Sequence, residues 1–258
     1  MQFSARPSEL YMEFSKSGIS TGKPAPEEEF TLSGWAVEHG TVHEEQYHTL
    51  NAGDVTALPA AGKQSLAEAV SALLERYIAD AGRVLVCGLG NRELTADRLG
   101  NTVCSRLSLC GPLPGGRTLY SFTPGVQAVT GIPTDRLVQM AARCVRAQRI
   151  IAVDALCARS ALRLGTVVQL SDTGITPGSG TVPEDASPAD TEAYPPEIST
   201  RTMPCPVVTV GVPTVIRTTL PDGGDTRYLV TSGITDRIVD CWGTILSSAI
   251  LRAMLTPP

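Results

Sequence analysis

From residue 65 onward, short and nearly continuous apolar runs alternate with amphipathic stretches, and that rhythm predicts the elements. Ser65 opens a helical pattern in which Leu66, Val70, Leu73, Leu74 and Ile78 fall on one face and Glu68, Glu75 and Arg76 lie elsewhere. Gly82 ends it, and the run from Val84 to Cys87 predicts a strand. A second helix is expected over Leu94 to Leu109, before Gly111-Pro112-Leu113-Pro114-Gly115-Gly116 breaks the chain. Thr118 to Phe122 reads as a strand and Pro124 to Ile132 as a loop with a short helical turn. Pro133 then opens a helix whose buried stripe is Leu137, Val138, Ala141, Ala142 and Val145. Strands are predicted at Ile150–Asp154, Thr166–Leu170, Pro206–Val215 and Tyr228–Thr231. The last helix runs from Thr235 to Leu255, with Ile238, Trp242, Ile245, Leu246, Ala249 and Leu251 in its apolar pattern.

Two regions break this rhythm. Residues 1–62 are polar and irregular, with short strand candidates at Phe30–Leu32 and Trp35–Val37 and another beginning at Thr49–Leu50. Residues 179–202 are rich in Pro, Glu, Asp, Ser and Thr and carry too little apolar surface to offset their ordering entropy, so a mobile surface excursion is expected. The alternation elsewhere predicts a single α/β domain over 1–258, a three-layer sandwich around a largely parallel or mixed sheet.

Composition narrows the function classes. The chain has 258 residues, 42% hydrophobic and 18% charged, an ordinary globular balance with enough length for a full core. A formal net charge of -5 and no long basic run argue against direct nucleic-acid binding. No uninterrupted apolar window reaches membrane-span length, and Met1 to Pro7 lacks the apolar core of a signal peptide, so no membrane partner and a cytoplasmic location are expected. Cys87, Cys104, Cys110, Cys144, Cys157, Cys205 and Cys241 are scattered, with no CxxC pair, and are expected to be free thiols rather than zinc ligands. His39 and His43 have i, i+4 spacing but sit with His48 in a poor helix former, so no metal site is expected there.

The candidate chemistry lies at strand ends. In an open α/β sheet ligands gather outside the carboxyl ends of the strands. Asp97 follows the Val84 strand through Gly88-Leu89-Gly90-Asn91, and Asp154 closes the run from Ile150. Two carboxylates brought to one edge from separate strands can share a reacting water, although each alone reads as a helix-start or capping residue before it reads as a catalytic one. The glycine pattern is not a dinucleotide fingerprint, because Glu93 stands where the third glycine belongs. The loop Ser171-Asp172-Thr173-Gly174-Ile175-Thr176-Pro177-Gly178-Ser179-Gly180 offers backbone N–H groups that can hold an anion or a substrate backbone, or is simply a surface loop. Cys157 as a nucleophile would need one of the distant N-terminal histidines as its base.

The motifs resemble those of the germination protease family of spore-forming bacteria. The matching blocks are Val86 to Asn91 with Leu94 to Gly100, Thr123 to Val126 with Thr130 to Ile132, and Ala152 to Leu156 running into Ala158 to Ser160. Gln169 to Ile175 with Pro177 to Gly180, and Val210 to Val215, complete an ordered series; Arg6 to Glu13 and Leu229 to Thr231 match loosely. The resemblance implies a fold similar to the hydrogenase maturation peptidases and an atypical aspartic endopeptidase that degrades small acid-soluble spore proteins on germination. It also implies a zymogen, a homotetramer, a forespore or spore-core location, and no cofactor. On this resemblance Asp97 and Asp154 match the catalytic pair, with Asn91, Asp172, Thr173, Gly174, Gly178 and Ser179 as substrate-binding or supporting residues. Thr176 stands where the family's loop usually carries a histidine, and the acidic stretch Glu184 to Glu197 replaces a lysine-rich one. Two other readings are a metal-dependent maturation peptidase of the same fold, with the aspartates as oxygen ligands, and a noncatalytic paralogue that binds spore proteins without cleaving them.

Overall fold

In the computed structural model, which describes residues 28–42, 45–108, 110–178, 197–219 and 227–256, the apolar runs join into one sheet. The chain order is β1 (Glu28–Leu32), β2 (Trp35–Val42), β3 (Glu45–Asn51), α1 (Ala60–Ile78), β4 (Arg83–Gly88), a 3-10 turn (Thr95–Asp97) and α2 (Leu99–Arg106). It continues with β5 (Gly111–Pro112), β6 (Thr118–Phe122), α3 (Gln127–Thr130), α4 (Thr134–Cys144), β7 (Arg149–Ala158), β8 (Val167–Ser171), β9 (Val207–Thr219), β10 (Arg227–Thr231) and α5 (Thr235–Leu255). The spatial order is β1-β2-β3-β8-β9-β7-β4-β6-β5, with β10 paired to the far end of β9.

The sheet is mixed rather than largely parallel. Pairings are parallel only in the centre, β6 with β4, β4 with β7 and β7 with β9; the wing from β9 through β8, β3, β2 and β1 is antiparallel. The wing contains the strand candidates at Phe30–Leu32, Trp35–Val37 and Thr49–Leu50 as three longer strands, so residues 28–42 and 45–51 are more regular than expected of the N-terminal region. Their alternation is muted because β1 lies largely exposed at the sheet's edge.

Apolar side chains alternate to the two faces of the central strands and build two cores. Val84, Val86, Ile151, Val153, Val208 and Val210 meet α1, α2 and α5, whereas Leu85, Cys87, Ile150, Ala152 and Val207 meet α4 and the segment around Ile198 and Met203. This makes the three layers. Helix α5 is long and apolar enough by length and composition to cross a membrane, but Ile238, Trp242, Ile245, Leu246 and Ile250 are buried in the first core. The Trp242 Nε1–H donates to the Gly165 carbonyl at 2.7 Å, satisfying the one polar atom of that ring. None of the seven cysteines is joined in a disulfide.

The predicted histidine segment is part of the wing. His39 on β2 pairs with His48 on β3, with ring centroids 4.7 Å apart, and His48 Nδ1 lies 2.7 Å from the Tyr77 hydroxyl on α1. Burial, then the charges of His39 and Arg76, hold the His48 pKa down to about 4. His43 and residues 179–196 of the acidic excursion lie outside the described residues, while Ile198 and Ser199 within its end are buried.

Candidate active site

Strand β4 stops at Gly88, whose partner on β7 is Val153, and the Leu89 N–H then bonds the Val153 carbonyl at 2.9 Å. Strand β7 continues to Ala158 paired with β9 alone. Asp154 is therefore not at the end of its own strand, as its sequence suggests, but in the first position past the end of its neighbour. The strand runs on because Leu156 and Ala158 still find buried places. Asp154 faces the α4 side, on the alternation of Ile150, Ala152 and Leu156, and is only 5% exposed.

The chain leaving β4 folds back over this position. Gly90 has φ +93°, and a Cβ there would lie 1.9 Å from the Asp97 carbonyl oxygen, so only glycine lets the exit pass beneath the 3-10 turn. Gly100 sits as tightly, since its Cβ would lie 2.4 Å from both the Leu89 nitrogen and the Val153 carbonyl oxygen. These close approaches bring the start of α2, and Asp97 just before it, down onto the backbone beside Asp154. The Asn91 N–H donates to Asp97 Oδ2 at 2.6 Å, and the Asn91 side chain receives the Glu93 N–H at 3.0 Å. Asn101 Nδ2 donates to the carbonyls of Gly90 at 3.0 Å and Leu89 at 3.3 Å, fixing the exit from the other side.

The charge of Asp97 reaches the Asp154 carboxyl. Asp154 is raised well above the ordinary carboxylate range, by burial first and by the charge of Asp97 second, against the lowering effect of the Ala155 N–H that its Oδ1 accepts at 2.9 Å. Asp97, half-buried, is raised by burial and lowered by the Asn91 hydrogen bond. Two such groups do not ionise together cheaply, and the more deeply buried Asp154 is the one pushed further toward its protonated form.

The remaining sequence candidates divide. Asn91 supports Asp97, through its backbone rather than its side chain. The loop after β8 does not join the pair. Strand β8 is antiparallel to β9, with Gln169 opposite Gly211 in the row of Asp154 and Ser171 opposite Thr209, so the chain beyond Ser171 runs away from that row. Asp172 instead accepts the Gln46 N–H at 2.6 Å and donates its own N–H to Gln46, extending the wing. Thr173 is buried and bonds the Gly174 carbonyl, Gly174 lies against Ile198 and Ser199, and the Ile175 N–H is bonded to the Ile198 carbonyl. The expected cradle of open N–H groups is therefore partly closed by internal pairing. Gly178 is exposed at the end of the described loop, and Ser179 lies outside the described residues. Sequence reading missed Asn101, whose polar position on α2 carried no motif, and Gln169, a buried polar side chain on the row of Asp154. Among the described residues no group of three or more His, Cys, Asp or Glu side chains is placed to hold a metal ion.

Fold and site together define an α/β protein with a buried and a half-buried aspartate where two adjacent parallel strands part. The comparisons with known proteins then place it: the chain belongs to the germination protease family, whose sequence model matches residues 36–230. It is similar to the germination protease of Caldanaerobacter subterraneus subsp. tengcongensis, 33% identical over 180 residues, covering 64% of this chain and 52% of that protein. It is also similar to that of Bacillus pumilus, 32% identical over 184 residues (66% and 47%), and of Bacillus subtilis, 35% identical over 160 residues (58% and 41%). The chain thus spans about half the length of the curated relatives it matches. Among solved structures, a [NiFe] hydrogenase maturation protease HycI from Thermococcus kodakarensis aligns at a TM-score of 0.40 and 16% identity, over 69% of this chain and 99% of that one.

Proposed function

We propose that this protein is an endopeptidase that hydrolyses peptide bonds in small acid-soluble spore proteins, with Asp97 and Asp154 as its acid–base pair. The observation that carries this reading is the joint placement of the two aspartates, close enough for the charge on one to raise the other, in a member of the germination protease family. The difference in their surroundings gives each a role. Asp97, with the Asn91 N–H on Oδ2, is the ionised member and takes a proton from a water molecule as its oxygen attacks the substrate carbonyl carbon. Asp154, buried and protonated, donates its proton to the carbonyl oxygen, giving a neutral tetrahedral diol. Asp97 then returns its proton to the amide nitrogen, the C–N bond breaks, and one diol hydroxyl gives its proton back to Asp154. Both carboxyls end as they began, with one water consumed. A spore-core location and a homotetrameric assembly belong to the same reading.

Incubating the purified protein with a small acid-soluble spore protein tests it. Cleavage at a defined site is expected, falling about 10²–10⁴-fold in folded Asp97→Asn and Asp154→Asn variants. Undiminished cleavage by either folded variant would remove the pair from the mechanism.

A further inference from the structure

Strand β9 carries an irregularity beside the site. Leu156 pairs with Pro213 and Cys157 with Val215, which leaves Thr214 as an extra residue in β9. A bulge takes its extra residue out of the ladder and re-aims the side chain. Thr214 is buried, and its hydroxyl donates to the Ala96 carbonyl at 2.5 Å. Ala96 is the middle residue of the 3-10 turn that ends in Asp97.

The other hydrogen bonds described for that turn are local in sequence, Leu94 N–H to Asn91, Asp97 N–H to Leu94 and Asn91 N–H to Asp97. The Thr214 bond instead spans 118 positions and ties the turn to the strand that pairs with Asp154's own. Thr214 is held in turn. Its carbonyl accepts the Thr231 hydroxyl of β10 at 2.7 Å, and that hydroxyl lies 2.5 Å from the Thr235 hydroxyl in the first turn of α5.

We propose that Thr214 is a positioning residue for the aspartate pair: its hydroxyl fixes the Asp97 turn over β7 so that both carboxyl groups reach one water. This rests on the acid–base reading of the pair given above. A fold-stabilising hydrogen bond with no bearing on the pair is the competing account, and the two differ in what they move.

Thr214→Val keeps the shape and removes the donor; Thr214→Ser keeps the donor. Asp carboxyl carbons labelled with ¹³C are titrated by NMR in the wild type and both variants, alongside kcat, KM and the melting temperature. Thr214→Val is expected to lower the apparent pKa of the Asp154 carboxyl, because Asp97's charge is no longer held against it. It should also lower kcat about ten- to a hundredfold with KM within about twofold, as small misplacements of reacting groups do. Thr214→Ser should restore both. A Thr214→Val protein that melts earlier but titrates and turns over like the wild type overturns the proposal, as does an equal loss in Val and Ser variants. Should Thr214→Val fail to fold, Thr231→Val withdraws the hydrogen bond from the Thr214 carbonyl and should move the titration the same way; no movement overturns the proposal equally. The titration reads the pair whether or not peptide is cleaved, so an inactive wild type counts against the peptidase reading and an unmoved titration against Thr214.

Discussion

Asp154→Asn measures what the site costs the fold. In an unfolded chain an aspartate loses its proton near pH 3.9. In the folded protein burial, then the charge of Asp97, keeps Asp154 protonated well above that. Between those two values the folded state holds one proton more than the unfolded state. Stability therefore falls as pH rises, by about 1.4 kcal/mol per pH unit. The stabilising contribution is complete below the unfolded value and gone once pH has passed the folded one. Asparagine cannot ionise, yet its Oδ1 can still accept the Ala155 N–H that Asp154 accepts at 2.9 Å. The variant's advantage over the wild type should therefore grow by about 1.4 kcal/mol with each pH unit through that window and then level off. Urea unfolding followed by circular dichroism at pH 5, 6, 7 and 8 gives both curves. A pH-independent difference, or an advantage that shrinks as pH rises, refutes the reasoning. Because the same substitution is expected to lower cleavage about 10²–10⁴-fold, a more stable and much less active variant is the signature of a site kept at a cost in stability.

The His48 imidazole pulls the other way. With its pKa held down to about 4, it stays neutral while the unfolded chain gains a proton, so stability should drop by about 3 kcal/mol as pH falls from about 6.5 to about 4. His48→Gln should flatten that part of the unfolding profile, and an unchanged slope there would show that His48 is not its source. Gly90→Ala places a Cβ 1.9 Å from the Asp97 carbonyl oxygen at φ +93°, so the exit from β4 must move. A loss of about 2–4 kcal/mol by calorimetry is expected, together with loss of cleavage. Wild-type melting and turnover in that variant would show that the turn does not need the glycine.

The sequence was most legible where burial is one-sided and long. Helix α5 could be read at both ends because Ile238, Trp242, Ile245, Leu246 and Ala249 keep helical spacing against a polar opposite face. Strand β4 was equally plain, being buried on both faces. The wing strands were faint because the rows that carry Phe30, Val37 and Leu50 to the core also carry Glu28, His39, Gln46 and His48. Asp154 looked like a strand end because nothing local distinguishes a carboxylate that stops a strand from one buried within it. The two aspartates were singled out by their placement after apolar runs. That the loop around Asp172 lies away from the pair was not legible, because the direction of β8, which decides the edge it leaves from, depends on pairing with β3 and β9. Thr214 was invisible for a related reason. A bulge exists only relative to a partner strand, and no single stretch of sequence contains both.

The position of β9 in the chain governs when the site can exist. It is the strand that joins the parallel centre to the antiparallel wing, yet it lies at Val207–Thr219, after every other member of the sheet's path. During synthesis Asp97 and Asp154 leave the ribosome well before it. Until β9 inserts between β7 and β8, the wing has no place to dock and the Asp97 turn lacks its anchor at Thr214. Pairing over such separations is slow compared with local folding. The two aspartates are thus present early but brought together late, so on the proposed acid–base reading a growing chain carries both carboxyl groups without the arrangement in which they would act.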